Sequence, residues 1–268
     1  MTIVLPASAE WLAVREAADG RSRSRALAVA AAQRACSPFV VHDLAGGTGS
    51  MMRWFSPFLP PGQTWVQHEW DPPLLSRAAG AAHEPERDLA RQRDHVDIDA
   101  LSDDAFAGAS IVTASGLLDL ITAEEAEAIV RACVAAGAPA LFTLTVTGHI
   151  RLDPVDPGDR VFESTFNDHQ RRRSGGRQLL GPDAVSTVVG LFRAAGWSVR
   201  IAESPWLLDM TDRRLIGQWL QGRITGAVEE RPALREWADE YLYARSRQLV
   251  DGSLTVRVDH QDIFAWSP

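Results

Sequence analysis

The sequence predicts a doubly wound α/β domain with a mostly parallel sheet, and three observations carry that expectation. A short β-branched run, Phe39, Val40 and Val41, leads through Asp43 into a glycine cluster and reads as a buried strand entering a turn. The stretch after the turn suits a helix, which Pro60, Pro61 and Gly62 stop before a second strand begins. This strand, turn, helix, strand order then repeats, as βαβ units with right-handed crossovers require.

The elements follow in order. Residues 9–36 place Ala, Arg and Glu among apolar positions at helical spacing and read as one or two helices ahead of the core, ended by Pro38. Strands are expected at 39–41, 64–69, 111–113 and 140–146. Thr122 with Glu125 three residues later reads as a capping box. Ala126, Ile129, Val130, Cys133 and Val134 form the apolar stripe of the helix it opens, which Gly137 closes. Residues 148–180 interrupt the rhythm with prolines, mixed charges and a Gly175-Gly176 pair, as functional connections often do. Regularity returns with a helix at 182–195, a strand at 197–202, helices at 211–227 and 232–249, and a closing strand from 254 to 266.

The chain's 268 residues are expected to form one domain spanning 1–268. N-terminal helices would occupy 1–37, a ligand-binding core 38–147, and cap segments 148–180 and 205–250. A net charge of −8 argues against nucleic acid as a partner. No apolar run approaches the roughly 20 residues of a membrane span, and the N-terminus does not read as a secretory signal, so the expected address is cytoplasmic, with no membrane partner. The two cysteines, Cys36 and Cys133, lie far apart without zinc-ligand spacing. Both read as buried small hydrophobes, and no metal is expected.

The turn Asp43-Leu44-Ala45-Gly46-Gly47-Thr48-Gly49 would let a ligand approach the backbone closely. A dinucleotide fingerprint needs a third small residue at position 52, which is Met, and an acid at Asp43 suits a ligand carrying positive charge. Glu69 ends the second strand, where a carboxylate can accept hydrogen bonds from ribose hydroxyls.

These residues resemble the class I, Rossmann-like S-adenosylmethionine-dependent methyltransferases, and the latter half, through Phe166-Asn167-Asp168-His169-Gln170-Arg171 and Leu180-Gly181-Pro182, is similar to an actinobacterial-type group of small-molecule methyltransferases. Asp43 to Gly49 resembles the family's first motif, with Ala45 in place of its first glycine. Glu69-Trp70-Asp71-Pro72-Pro73 and the following residues to Ala78 resemble its second, and residues 114–119 its fourth. The resemblance implies a seven-stranded sheet with an antiparallel last strand. It also implies S-adenosylmethionine as cofactor: Asp43, Ala45, Gly46, Gly47, Thr48 and Gly49 would hold the methionine part, and Glu69 with Trp70 the ribose side. Asp97, with Asp99 as its competitor, and Ile98 would lie near the adenine, and Ser115 and Gly116 at the methyl-transfer site.

Methyl transfer is an in-line displacement that needs alignment and at times proton removal, with no fixed triad. His169, His149 and Glu163 are the candidate catalytic groups, because they follow strands at the ligand-binding edge. Asn167, Arg171 and Trp206 are the candidate substrate contacts. The basic run Arg171-Arg172-Arg173 reads either as a solvated loop or as an anion clamp. A small-molecule substrate is the expected partner, and association as a homodimer is left open. A nucleotide-dependent oxidoreductase and a catalytically silent cofactor-binding scaffold are the alternative readings.

Overall fold

The computed structural model describes residues 8–69, 74, 89–94, 98 and 101–268. Its centre is a mixed sheet built from β1 (Val40–Leu44), β2 (Gln63–His68), β3 (Leu89–Asp94), β4 (Ile111–Ser115), β5 (Ala140–Asp153), β8 (Ser198–Glu203) and β10 (Thr255–Trp266). The spatial order is β3-β2-β1-β4-β5-β10-β8, and a short strand β9 (Trp206–Leu208) pairs with the outer part of β10. The first five strands pair in parallel, and β10 runs antiparallel to both β5 and β8. The small hairpin strands β6 (Arg173–Ser174) and β7 (Arg177–Gln178) form a separate sheet.

Successive side chains of a strand point to opposite faces, and here both faces are covered. Val41, Ile111, Leu141 and Phe264 join one core with α2 (Arg25–Ala32) and α3 (Ser50–Phe55). Leu44, Val112, Phe142 and Ile263 join the other with α4 (Ala123–Ala136) and α6 (Ala184–Ala194). This two-sided burial is why the strands read as continuous apolar runs. The capping box opens α4: Thr122 Oγ1 accepts from Glu125 N at 3.2 Å, and Glu125 Oε2 accepts from Thr122 N at 2.8 Å.

Residues 148–180 are more regular than the sequence suggests. The fifth strand does not end at Val146 but continues to Asp153, because its extension pairs with Thr255 to Val258 of β10. Helix α5 (Gly158–Gln170) follows. The outer parts of β5, β9 and β10 form a third core with α7 (Arg213–Glu230) and with Ala18 of α1 (Ala9–Ser22). A fourth core joins α5 and α7 to α8 (Arg235–Asp251) through Phe162, Ile224, Ala238 and Tyr241. Buried Arg245 fastens this layer, donating to Asp159 and to Pro154 O, while Tyr241 donates to Asp159 at 2.6 Å. Cys133 is buried as expected; Cys36 is exposed, since it follows α2 beyond the packed face. Among the described residues, no helix is long and apolar enough to cross a membrane, and no cluster of His, Cys, Asp and Glu could hold a metal ion.

Candidate active site

The sheet order reverses between β1 and β4, and open α/β sheets bind ligands in the crevice at such a point. The register brings the strand ends abreast: Asp43 stands opposite Gln67 of β2 and Thr113 of β4. The chain then turns through Ala45 at φ 50°, Gly47 at φ 53° and Gly49 at φ 86° into α3. A Cβ on Gly46 would lie 2.9 Å from Gln67 Nε2 and 3.0 Å from Asp43 Oδ2. The missing side chain at Gly46 is therefore a packing requirement of the turn.

Three charged groups converge here. Asp43 is fully buried; its Oδ1 accepts from Thr113 Oγ1 at 2.8 Å, while Oδ2 has no hydrogen-bond partner among the described residues. Burial pushes its carboxyl up to about 7, against the pull of the Thr113 hydrogen bond and the Arg23 charge. Glu69, also buried, accepts from Gly47 N at 2.9 Å and so ties the second strand end to the glycine turn. Arg23, at the end of α1, donates through Nη2 to Ser115 Oγ at 2.9 Å and Ser50 Oγ at 3.2 Å. Its Nε and Nη1 are buried without partners among the described residues, and burial lowers its pKa.

These groups border a cavity of about 330 Å³, within the size range of small-ligand sites. Its floor is Asp43, Ala45 to Thr48, Glu69 and Ser115 to Leu117. One wall is α1, through Trp11, Leu12, Arg15 and Asp19. The far wall comes from Phe166 and Gln170 of α5, Trp219 and Arg223 of α7, and Val258 and His260 of β10, while Trp206 of β9 packs on α1, its Nε1 donating to Asp19 Oδ1 at 3.0 Å. The N-terminal helix is thus part of the enclosure rather than an appendage before the core.

Two titratable groups on this surface have shifted equilibria. Asp119 is pushed up to about 6 by burial, and its Oδ2 accepts from Gln170 Nε2 at 3.3 Å. His260 is lowered to about 3, chiefly by burial and then by the charge of Arg15. Its Nδ1 lies 3.0 Å from Val258 O. A carbonyl only accepts, so Nδ1 carries the proton and Nε2 is left as an acceptor.

Of the residues picked from sequence, Asp43, Ala45, Gly46, Gly47, Thr48, Glu69, Ser115, Gly116 and Trp206 border the cavity. Gly49 caps α3 behind the turn. Ile98 packs on the α4 side of the sheet and borders a different groove. Trp70, Asp97 and Asp99 lie outside the described residues.

The proposed catalytic and polar substrate groups are placed elsewhere. His169 is buried against Phe166 and Gly226, 3.6 Å from Glu229. His149 is 76% exposed and 3.7 Å from Glu163, whose Oε2 accepts from Ile150 N. Asn167 donates to Gly148 O at 3.0 Å, and Arg171 pairs with Asp183. None of these five borders the cavity: α5 turns Phe166 and Gln170, one helical turn apart, inward and the intervening residues away. Arg172 donates to His169 O, which leaves the basic run without a clamp.

Sequence reasoning missed Arg15, Arg23, Arg223 and His260 as cavity residues. Asp119 was missed as well, although it carried a signal in its place in the fourth motif.

No family model matches the sequence, and no curated protein matches it. Solved structures match the fold. A Bacillus halodurans protein provisionally named a methyltransferase is 13% identical, with 91% of this chain and 100% of that one covered and a TM-score of 0.52. The YcgJ protein of Bacillus subtilis is 14% identical, with 90% and 98% covered and a TM-score of 0.50. A phosphoethanolamine N-methyltransferase of Haemonchus contortus, solved with S-adenosylhomocysteine, is 13% identical, with 96% and 57% covered and a TM-score of 0.46. At these identities the likeness to the two Bacillus proteins establishes the fold, a Rossmann-like sheet of the methyltransferase type.

Proposed function

We propose that this chain is an S-adenosylmethionine-dependent methyltransferase acting on a small-molecule acceptor. The observation that carries the reading is the convergence of Asp43, Glu69 and Arg23 on one cavity at the sheet's switch point. The set suits a ligand that bears a cation, a carboxylate and a diol. Asp43 Oδ2 would take the ammonium of the methionine part. The unpartnered donors of Arg23 would take its carboxylate, and Glu69 the ribose hydroxyls.

When bound, the cofactor supplies a methyl group on positively charged sulfur, ready for in-line displacement. The chain's own part is alignment and exclusion of water. Trp206, Trp219 and Phe166, which line the cavity, hold the acceptor's apolar body against the floor. Asp119, raised toward neutrality by burial, is the group suited to take a proton from an acceptor hydroxyl or amine. His260, kept neutral, orients the acceptor through Nε2 rather than removing its proton.

Equilibrium dialysis against S-adenosylmethionine and, separately, NAD tests the reading. One equivalent of the first and none of the second is expected. The reverse would establish the oxidoreductase alternative instead.

A further inference from the structure

The far wall of the cavity holds a positive charge that the cofactor reading does not use. Arg223 on α7 is 6% exposed and borders the cavity. Its guanidinium lies 4.5 Å from the Phe166 ring centre and 5.4 Å from that of Trp219. Its Nε and Nη2 are sheltered from solvent and have no hydrogen-bond partner, and no carboxylate lies within ion-pair distance among the described residues. Glu163, the acid whose field reaches it, already accepts from Ile150 N.

Elsewhere this chain uses the same two guanidinium nitrogens for two-point carboxylate pairing. Arg53 donates through Nε and Nη2 to Glu16 at 2.7 and 2.7 Å, and Arg171 to Asp183 at 2.6 and 2.9 Å. In Arg223 the same two nitrogens are shut off from solvent and unpartnered among the described residues, the arrangement in which a buried charge costs most. The other cavity arginines have other counterparts: Arg15 pairs with Asp19 at 2.9 Å, and Arg23 faces the glycine-turn end of the cavity. One positive charge therefore remains on the acceptor side. The Arg223 guanidinium lies against the Phe166 and Trp219 rings, and its charge reaches the neutral His260.

We infer that the acceptor substrate is a monoanionic carboxylic acid with a flat, apolar body, its carboxylate held by Arg223 and its body by Trp206, Trp219 and Phe166. The planar fork matches a carboxylate in two bonds, whereas a single guanidinium among apolar walls is too little charge for a phosphate dianion. The inference rests on the methyltransferase reading, which assigns the other end of the cavity to the cofactor.

The test uses the full chain saturated with S-adenosylhomocysteine. Benzoate, 4-hydroxybenzoate and indole-3-acetate are titrated against their amides, with tryptophan fluorescence as readout. At least one acid is expected to bind about tenfold or more tightly than its amide. In Arg223→Gln the preference is expected to shrink to about twofold or less while S-adenosylhomocysteine binds as before. If that variant loses S-adenosylhomocysteine binding through misfolding, Arg223→Lys decides: its preference should keep its sign and fall in size. Wild-type chain that binds S-adenosylhomocysteine but prefers no acid, or a preference unchanged in the variant that decides, overturns the inference alone. Wild-type chain that fails to bind S-adenosylhomocysteine overturns the methyltransferase reading beneath it.

Discussion

Asp43 couples cofactor binding to a proton. Its carboxyl is buried, pushed up to about 7, and carries one oxygen with no partner. A cationic ligand at that oxygen favours the ionised form, so binding near neutrality must expel a proton from part of the population. If only ionised Asp43 binds, about nine-tenths of the chains must lose a proton at pH 6 and about one-tenth at pH 8. S-adenosylmethionine should therefore bind about tenfold more weakly at pH 6 than at pH 8. Asp43→Asn keeps the shape and an acceptor for Thr113, and it removes the titration. Calorimetry in buffers of different ionisation enthalpy reads the proton directly, and subtracting the variant removes the ligand's own titration. The same pKa fixes the sign for the ligand-free protein. Burial favours the neutral acid, so this contribution to stability is present below the unfolded value of 3.8 and is lost as pH rises through about 7. Asp43→Asn should then raise the melting temperature more at pH 8 than at pH 5. Equal pH dependence of binding in wild type and variant would refute the reasoning.

Glu69→Ala should weaken S-adenosylmethionine binding by about 1.5–3 kcal/mol, the worth of hydrogen bonds to a charged group, as read by calorimetry; unchanged affinity would remove Glu69 from the site. Gly46→Ala brings a methyl to 2.9 Å from Gln67 Nε2 and 3.0 Å from Asp43 Oδ2. Cofactor binding should fall by at least about tenfold, with secondary structure by circular dichroism intact. Arg245→Met leaves Asp159 without its ion-pair partner beneath the cap and should cost about 3–5 kcal/mol in urea unfolding; a loss under about 1 kcal/mol would show that the pair is effectively solvated. His169→Ala should leave S-adenosylmethionine affinity within about twofold, because the ring packs between α5 and α7 away from the cavity wall.

The parts of the site that were legible are those set by local chain geometry. A strand ending in Asp43, a turn that needs positive φ, and an acid ending the next strand are all visible in residue order. Parallel pairing then brings Asp43, Glu69 and Ser115 together with no further information. The far wall depended on helix phase within α5, in a segment whose prolines and glycines masked its regularity. Read as a helix, residues 158–170 would have separated the stripe of Phe166 and Gln170 from that of Asn167 and Arg171. The arginines were harder. Arg15, Arg23 and Arg223 sit in sequences that look like solvated helix faces, and only tertiary packing turns them inward. His260 alternates with valines in the last strand, and nothing local distinguishes a cavity position from a core one.

The proposed reaction moves a methyl group from the cofactor to a small molecule. The direct measurement is incubation of the chain with methyl-labelled S-adenosylmethionine and a small-molecule fraction depleted of protein and nucleic acid, followed by mass analysis of the label. Label is expected in a low-mass acid, formed in step with S-adenosylhomocysteine and lost in Asp43→Asn. Tight binding of S-adenosylmethionine, with all label still on the cofactor across such fractions, would contradict it and identify a silent binding protein.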